Sequence, residues 1–264
     1  MCYDIRFLTK KKLQYARRFG HNESDIRDLE EQLRKLGEKI PPYYHVTGFD
    51  HPDVPVITNI DRKKIQLFNW GLIPGWIKDV RQAVELSNRT LNARSEDMFE
   101  KKSFKSAARY RRCLVIVDGF FEYHWKHEKS FPHHILLKND EPMALAGIWE
   151  NWKLESEGVS RNTFSIVTTK ANSLMAHIHN KPKGSAEPRM PLIIPKELED
   201  EWLKPIEDPL AIEELKEIIK PYDTEEMMAY PVSRLKGKQA AGNAPEAIEK
   251  VSYPELESSQ GELF

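Results

Sequence analysis

Four short stretches of this 264-residue chain carry side chains that packing alone does not require. The first is Cys2. Methionine aminopeptidase removes Met1 when the second side chain is small, and a Cys exposed in this way is a 1,2-aminothiol. Its α-amine titrates at about 7.7–8 and its thiol at about 8.5, so a usable fraction of the amine is neutral near neutrality, and the thiolate is the stronger nucleophile. An aldehyde is the natural electrophile for this pair: the amine forms an imine and the thiol closes on it to give a five-membered thiazolidine. The second stretch is Asn92-Ala93-Arg94. The third is Asp118-Gly119-Phe120-Phe121-Glu122-Tyr123, a strand exit with a carboxylate between aromatic rings. The fourth is Ile178-His179-Asn180, with Arg189-Met190-Pro191 downstream.

Taken singly, each stretch also has an ordinary structural role. Cys2 is a start-codon neighbour. Asn92 caps a turn, and Arg94 forms a surface ion pair worth little. Strand alternation puts Glu122 opposite Phe121 and Tyr123, on the solvent side of an edge strand. His179, one of nine histidines, is a helix-end cation.

The elements that must position these residues follow from the hydrophobic pattern. Lys10–Phe19 reads as a short helix. A second helix covers 24–36, with Ser24 as N-cap, Ile26, Leu29, Leu33 and Leu36 as one apolar stripe, and Gly37 as the stop. VPVIT and KIQLFNW form a strand pair, followed by a tight connection through GLIPGW. Asn92 to Arg112 begins as a loop and turns helical around Met98–Tyr110. CLVIVDG is a buried strand ending in a turn, and FFEYHW a second strand. HHILLK and PMALAGIW flank the turn KNDE. TFSIVTT is another buried strand leading into a helical turn, ANSLMAHIH, and PLIIP is a last short strand before a helical C-terminal third. Short connections between clustered strands predict an α+β fold: one domain over 1–235, with a curved, barrel-like mixed or antiparallel β core flanked by helices. The Gly-, Ala-, Ser- and Glu-rich stretch 236–264 reads as a loosely ordered tail.

Hydrophobic residues make up 40% of the chain and charged residues 31%, in the range of a globular protein. No apolar run is long enough to span a bilayer, and MCYDIRFLTKKK lacks the apolar core of a secretory signal. The two cysteines, Cys2 and Cys113, predict a reduced, cytoplasmic protein with no disulfide framework and no cysteine-rich zinc site. No metal or other cofactor is expected. The net charge of −1 points to no polyanion, but Lys101, Lys102, Lys105, Arg109, Arg111 and Arg112 form a basic block without an acid. Such a block is either a solvated helix face or a track for phosphates.

In order along the chain, Met1-Cys2, Asn92-Ala93-Arg94, Asp118–Tyr123 and His179 with Arg189-Met190-Pro191 resemble the motifs of the SOS response-associated peptidase family, also called abasic-site processing proteins. FNWGLIPGW is similar to that family's W-G-x-x-P-x-W segment, and FSIVTTKAN to the strand and turn before its histidine. The resemblance runs from Cys2 to Pro195. It departs at three points: NKPKGSAEP separates His179 from Arg189, Tyr44-His45-Val46-Thr47-Gly48 replaces the common Y-N-V-A-P, and a Trp pair is reduced to Trp76-Ile77.

The resemblance implies that Cys2 is a covalent nucleophile surrounded by Asn92, Glu122 and His179. It implies that Arg94 and Arg189 contact backbone phosphates and that Trp76, Trp70 and Pro74 line a DNA channel. The expected partner is single-stranded DNA carrying abasic sites, whose ring-opened form is an aldehyde, and the protein is expected to act as a monomer. Glu122, in an apolar strand, would protonate the sugar ring oxygen. His179 would pass a proton at neutral pH, and Asn92 would hold the amine or the sugar in attack geometry. An imine intermediate would also permit lyase-type strand cleavage. Two other readings stay open. One is a thiol peptidase, autoproteolytic or general, with Cys2 as nucleophile and His179 as base. The other is a non-covalent single-strand binding module in which Cys2 is inert.

Overall fold

The computed structural model describes residues 2–7, 12–20, 22–181 and 187–257. In chain order the first half comprises β1 (Asp4–Phe7), α1 (Lys12–Phe19), α2 (Glu23–Gly37), β2 (Tyr43–Thr47), β3 (Asp53–Thr58), β4 (Asp61–Trp70), α3 (Val80–Arg89), β5 (Asn92–Arg94), α4 (Lys105–Tyr110) and β6 (Arg112–Val117). The second half comprises β7 (Gly119–Lys126), β8 (Lys129–Leu137), β9 (Met143–Leu154), β10 (Val159–Lys170), α5 (Ser173–Ile178), β11 (Arg189–Pro191), β12 (Ile193–Ile194), α6 (Glu199–Trp202), α7 (Pro209–Glu217), β13 (Met227–Pro231) and α8 (Pro254–Glu257).

Five strands close on themselves. β10 pairs antiparallel with β9 along one edge and parallel with β4 along the other, at Thr163 and Phe164. β4, β3, β6 and β9 complete the ring through antiparallel pairs. The expected barrel-like core is therefore a closed, mixed five-strand barrel, which leaves those strands no open edge. Alternate residues of β6 serve two cores. Cys113, Val115 and Val117 pack with Phe68, Trp70 and Phe164, whereas Leu114 and Ile116 pack with Phe7 and with Tyr15, Leu29 and Leu33 of α1 and α2. Cys113 is the buried small hydrophobe that its apolar run implied. A Cβ on Gly147 opposite it would lie 2.7 Å from its Sγ, so the barrel closes tightly only with glycine there.

A second, antiparallel sheet runs in the order β13-β8-β7-β1-β2. The chain passes from the barrel into this sheet at Asp118-Gly119. A Cβ on Gly119 would meet the carbonyl oxygen of Ile135 at 2.5 Å, so the corner demands glycine through close approach. This corner carries the DGFFEY motif out of the barrel and alongside the N-terminal strand.

Several expectations shift. The N-cap of α2 is Asn22 rather than Ser24: Asn22 is extended, and its side chain accepts from the Asp25 N–H. Asn92–Arg94 is a strand rather than a loop, because the edge of β10 beyond its pairing with β4 takes it as a parallel partner. The helix after it spans only Lys105–Tyr110. The described part of the supposed tail, 236–257, is packed. Ala247 is buried with Val232 and Leu235 against Phe121. Asn243 Oδ1 accepts from the Tyr44 and His45 N–H groups at 2.8 and 3.3 Å, and the Tyr253 hydroxyl donates to the Val232 carbonyl at 2.7 Å. A few well-placed small and polar residues fasten this segment where composition alone reads disorder. Residues 258–264, and the Lys10 end of the first predicted helix, lie outside the described residues.

Candidate active site

β1 lies antiparallel to β7, with Asp4 opposite Phe121 and Ile5 opposite Phe120. Continuing that register sets Tyr3 level with Glu122 and Cys2 level with Tyr123. Cys2 is 1% exposed. Its Sγ is 4.0 Å from the Asp4 carbonyl oxygen. Burial, reinforced by the Glu122 carboxylate and then by Asp4, pushes the Cys2 thiol far above its ordinary value. The partly ionised thiol expected from an unperturbed cysteine is absent here: the low-dielectric setting keeps the proton on sulfur.

The spacing of Asn-Ala-Arg becomes meaningful once β5 is a strand. Ala93 points into the core at 0% exposed, while Asn92 and Arg94 share the opposite face. Asn92 Nδ2 donates to the Cys2 carbonyl at 2.8 Å. Glu122, on β7, is buried; its Oε1 accepts the Tyr123 N–H at 3.1 Å and its Oε2 lies 3.3 Å from His179 Nδ1. His179 is the C-cap of α5, a helix opened by Asn172, whose side chain accepts the Met175 N–H. Asn180 fixes the helix end on β7: Oδ1 accepts the Trp125 N–H at 2.6 Å and Nδ2 donates to the Trp125 carbonyl at 3.0 Å. His179 Nδ1 is also 3.1 Å from the Arg189 carbonyl oxygen. A proton on Nδ1 serves both acceptors and leaves Nε2 as the basic nitrogen of the neutral ring. The fold thus gathers Cys2, Asn92, Glu122 and His179 around one point.

Above them opens a cleft of about 400 Å³. Tyr3, Glu122, Tyr123, Trp125 and His179 line it, with Arg94, Lys181, Arg189 and Lys236 as cations and Glu187 as a further acid. Lys181 Nζ lies 5.3 Å from the Trp125 ring centre and Lys236 Nζ 5.0 Å from that of Tyr123, so aromatic faces and positive charge alternate along the walls. Lys236 also reaches Asp4 Oδ2 at 3.4 Å, and the buried Asp4 carboxylate takes His45 Nε2 at 3.0 Å. Tyr3, Tyr123 and Trp125 are aromatic neighbours of named motifs and were legible as such. Lys181 and Lys236 carried no signal in the sequence. Among the described residues no group of three or more His, Cys, Asp or Glu side chains is placed to hold a metal ion.

Three expected DNA contacts, Trp70, Pro74 and Trp76, lie outside the cleft lining. Trp70 is 0% exposed; its ring stacks on Phe164 and its Nε1 donates to the Leu91 carbonyl at 2.8 Å. Pro74 is buried, and its carbonyl accepts the Ile77 N–H at 3.0 Å. Arg189 borders the cleft, but its guanidinium is 5% exposed and spent on Glu96 at 2.7 and 3.1 Å and on the Thr168 carbonyl at 2.8 Å. Arg94 is exposed on the cleft. Trp76 is exposed, with Lys102 Nζ 4.3 Å from its ring centre, and lies outside the cleft lining. The basic block does not form one track. Lys101 pairs with Asp97 and Arg111 with Glu150. Arg112 is buried, donates to the carbonyls of Trp202, Ala108, Arg109 and Lys204, and is lowered by burial to about 10. Most of the 180–188 insertion, residues 182–186, lies outside the described residues.

A closed five-strand barrel flanked by a second antiparallel sheet, with a buried near-terminal cysteine beneath a cleft lined by cations and aromatic rings, defines the architecture of this class of protein. The family model described as SOS response associated peptidase (SRAP) matches residues 1–238, and the chain belongs to that family. It is 35% identical over 234 residues to the abasic site processing protein YoqW of Bacillus subtilis, covering 86% of this chain and 96% of the relative. It is 27% identical over 184 residues to the abasic site processing protein HMCES of Gallus gallus, covering 62% of this chain and 51% of that longer one. A crystal structure of a Bacteroides thetaiotaomicron protein superposes with a TM-score of 0.78 at 32% identity, covering 95% of this chain and all (100%) of the other.

Proposed function

We propose that this protein captures abasic sites in single-stranded DNA as a covalent thiazolidine on Cys2, after removal of Met1, and so shields the lesion. The observation that carries the reading is the convergence on Cys2. Asn92 holds its carbonyl, Glu122 sits close enough to raise its thiol, and His179 bonds Glu122, all beneath a cationic cleft. The relatives named as abasic site processing proteins support the same substrate.

The chemistry follows from the protonation states. A thiol held protonated by burial is a poor first nucleophile, so the neutral α-amine attacks the ring-opened aldehyde first. The carbinolamine loses water to give an imine. The thiol then adds to the imine carbon, and its proton passes to the nitrogen. Water is the sole by-product. Glu122 and His179, bonded to each other, carry protons for ring opening, dehydration and closure. Arg94, Lys181 and Lys236 hold the backbone, with stacking on the cleft aromatics. Before closure, the imine also opens a β-elimination route to strand cleavage.

The thiol-peptidase reading requires an imidazole beside the nucleophile. Among the described residues Cys2 Sγ contacts the Asp4 carbonyl, and His179 Nδ1 is directed to Glu122 and Arg189. The test compares processed protein, a form with an uncleavable extension before Cys2, and Cys2→Ala, each mixed with an abasic single strand and denatured. Only the processed form is expected to keep the DNA, because a thiazolidine needs amine and thiol on one residue. An equally stable adduct from the extended form would overturn the mechanism.

A further inference from the structure

The turn after β2 places Phe49 beside Tyr3, and this pair is not part of the reaction described above. Phe49 is 48% exposed, and its ring centre lies 5.2 Å from that of Tyr3 at a tilt of 33°. Tyr3 directly follows the nucleophile and lines the cleft.

The turn is stiff. The Gly48 N–H donates to the Tyr3 carbonyl at 2.7 Å, and the Thr47 hydroxyl reaches the same oxygen at 3.3 Å. A Cβ on Gly48 would lie 3.0 Å from the Trp70 indole, so the turn rests on that buried ring. His51 closes it at φ 48°, a left-handed conformation costly for a side chain other than glycine. Its ring holds it there: Nδ1 bonds the Trp70 carbonyl at 2.6 Å and Nε2 the Ser87 hydroxyl at 3.2 Å. A large apolar side chain is therefore presented to solvent on a backbone that cannot easily withdraw it.

We propose that Tyr3 and Phe49 form a stacking platform for the nucleobase next to the abasic sugar; this rests on the proposed DNA substrate. A missing base deprives each neighbouring base of one stacking partner. A fixed aromatic face at the rim of the cleft replaces that partner, and Arg94, Lys181 and Lys236 face the backbone. The platform favours a lesion over intact strand because only beside a gap is the base face open. Trp70, expected to touch DNA, takes part from below by holding Gly48.

The test uses single strands carrying a tetrahydrofuran abasic analogue, which has no aldehyde and cannot crosslink. In one probe the flanking nucleotides are adenines; in others one or both flanks are further tetrahydrofuran spacers. Equilibrium binding is read by fluorescence anisotropy for wild type, Phe49→Ala and Phe49→Trp. Wild type is expected to prefer the adenine-flanked strand by about tenfold, the scale of one base–aromatic stack. Phe49→Ala should bring that ratio close to one, and Phe49→Trp should keep it. A wild-type ratio of one, or a Phe49→Ala ratio equal to wild type, overturns the platform. Crosslinking without flank preference would sink the platform alone. Flank preference without a stable adduct to a true abasic strand would sink the covalent reading alone.

Discussion

Asn92 donates its Nδ2–H to the Cys2 carbonyl oxygen at 2.8 Å, tying the start of the chain to a residue 90 positions away. Its Oδ1 is buried and has no partner among the described residues, an acceptor set where an amine or sugar hydroxyl can satisfy it. Asn92→Ala is expected to slow adduct formation about 100-fold through misplacement of the nucleophile, at a stability loss of about 1 kcal/mol. Single-turnover gels and a urea titration separate the two effects. A rate loss no larger than the stability loss explains would remove Asn92 from the site.

Glu122→Gln preserves shape and removes the proposed proton carrier. Adduct formation is expected to fall by about 10²–10⁴-fold, while anisotropy with an uncleavable abasic analogue shows binding within a few-fold of wild type. An unchanged rate would mean that ring opening proceeds without this carboxylate.

The two arginines of the motifs should behave differently. Arg94→Ala is expected to weaken binding to all single strands and to reduce the slope of log K against log salt by about 0.7, the value for one phosphate contact on a single strand, with no change in melting. Arg189→Ala removes hydrogen bonds to Glu96 and Thr168 from a buried guanidinium and should cost about 2 kcal/mol of stability. Equal salt slopes for both variants, measured beside their thermal midpoints, would contradict this division.

Burial raises both thiols, Cys2 and Cys113. Below the ordinary thiol value of about 8.5, native and unfolded chains both keep these protons, and stability is indifferent to them. Above it the unfolded chain releases protons that the native state retains. Stability therefore falls as pH rises, by up to about 1.4 kcal/mol per pH unit for each thiol. Urea midpoints between pH 9 and 10 should drop more steeply for wild type than for Cys113→Ala. Parallel slopes would show that the Cys113 thiol ionises in the native fold.

Asn243 fastens 236–257 to the start of β2 through two backbone N–H groups. Asn243→Ala strands them only partly, since they sit near the surface, and should cost about 1 kcal/mol. Limited proteolysis should then cut within 236–257 faster than in wild type. Identical cleavage would return that segment to the loose tail that its composition implies.

Local pattern determined much of this protein. The continuous run CLVIV and the alternating strands around it specify buried β structure, because every residue of that run packs into an apolar core on one side of β6 or the other. Leu29, Leu33 and Leu36 specify one helix face by their spacing. The ordered motifs around Cys2, Asn92, Glu122 and His179 marked these four as candidates only through their resemblance to the family, and the fold brings them together.

Only the tertiary structure decided which motif residues face the cleft. Trp70 and Arg189 match the motifs as well as Arg94 does. Barrel closure places the Trp70 indole beneath Gly48 and gives the Arg189 guanidinium a carboxylate at Glu96. Arg112 reads as one more charge in a basic block, yet it caps carbonyls from two separate segments, 108–109 and 202–204, inside the protein. Lys236 reaches the site from the far end of the chain, where composition carries no trace of it. The physical reason is common to all four residues. Residue type sets what a side chain can do, but charge, burial and reach depend on neighbours brought together by contacts that span the chain, and those contacts exist only after the barrel has closed.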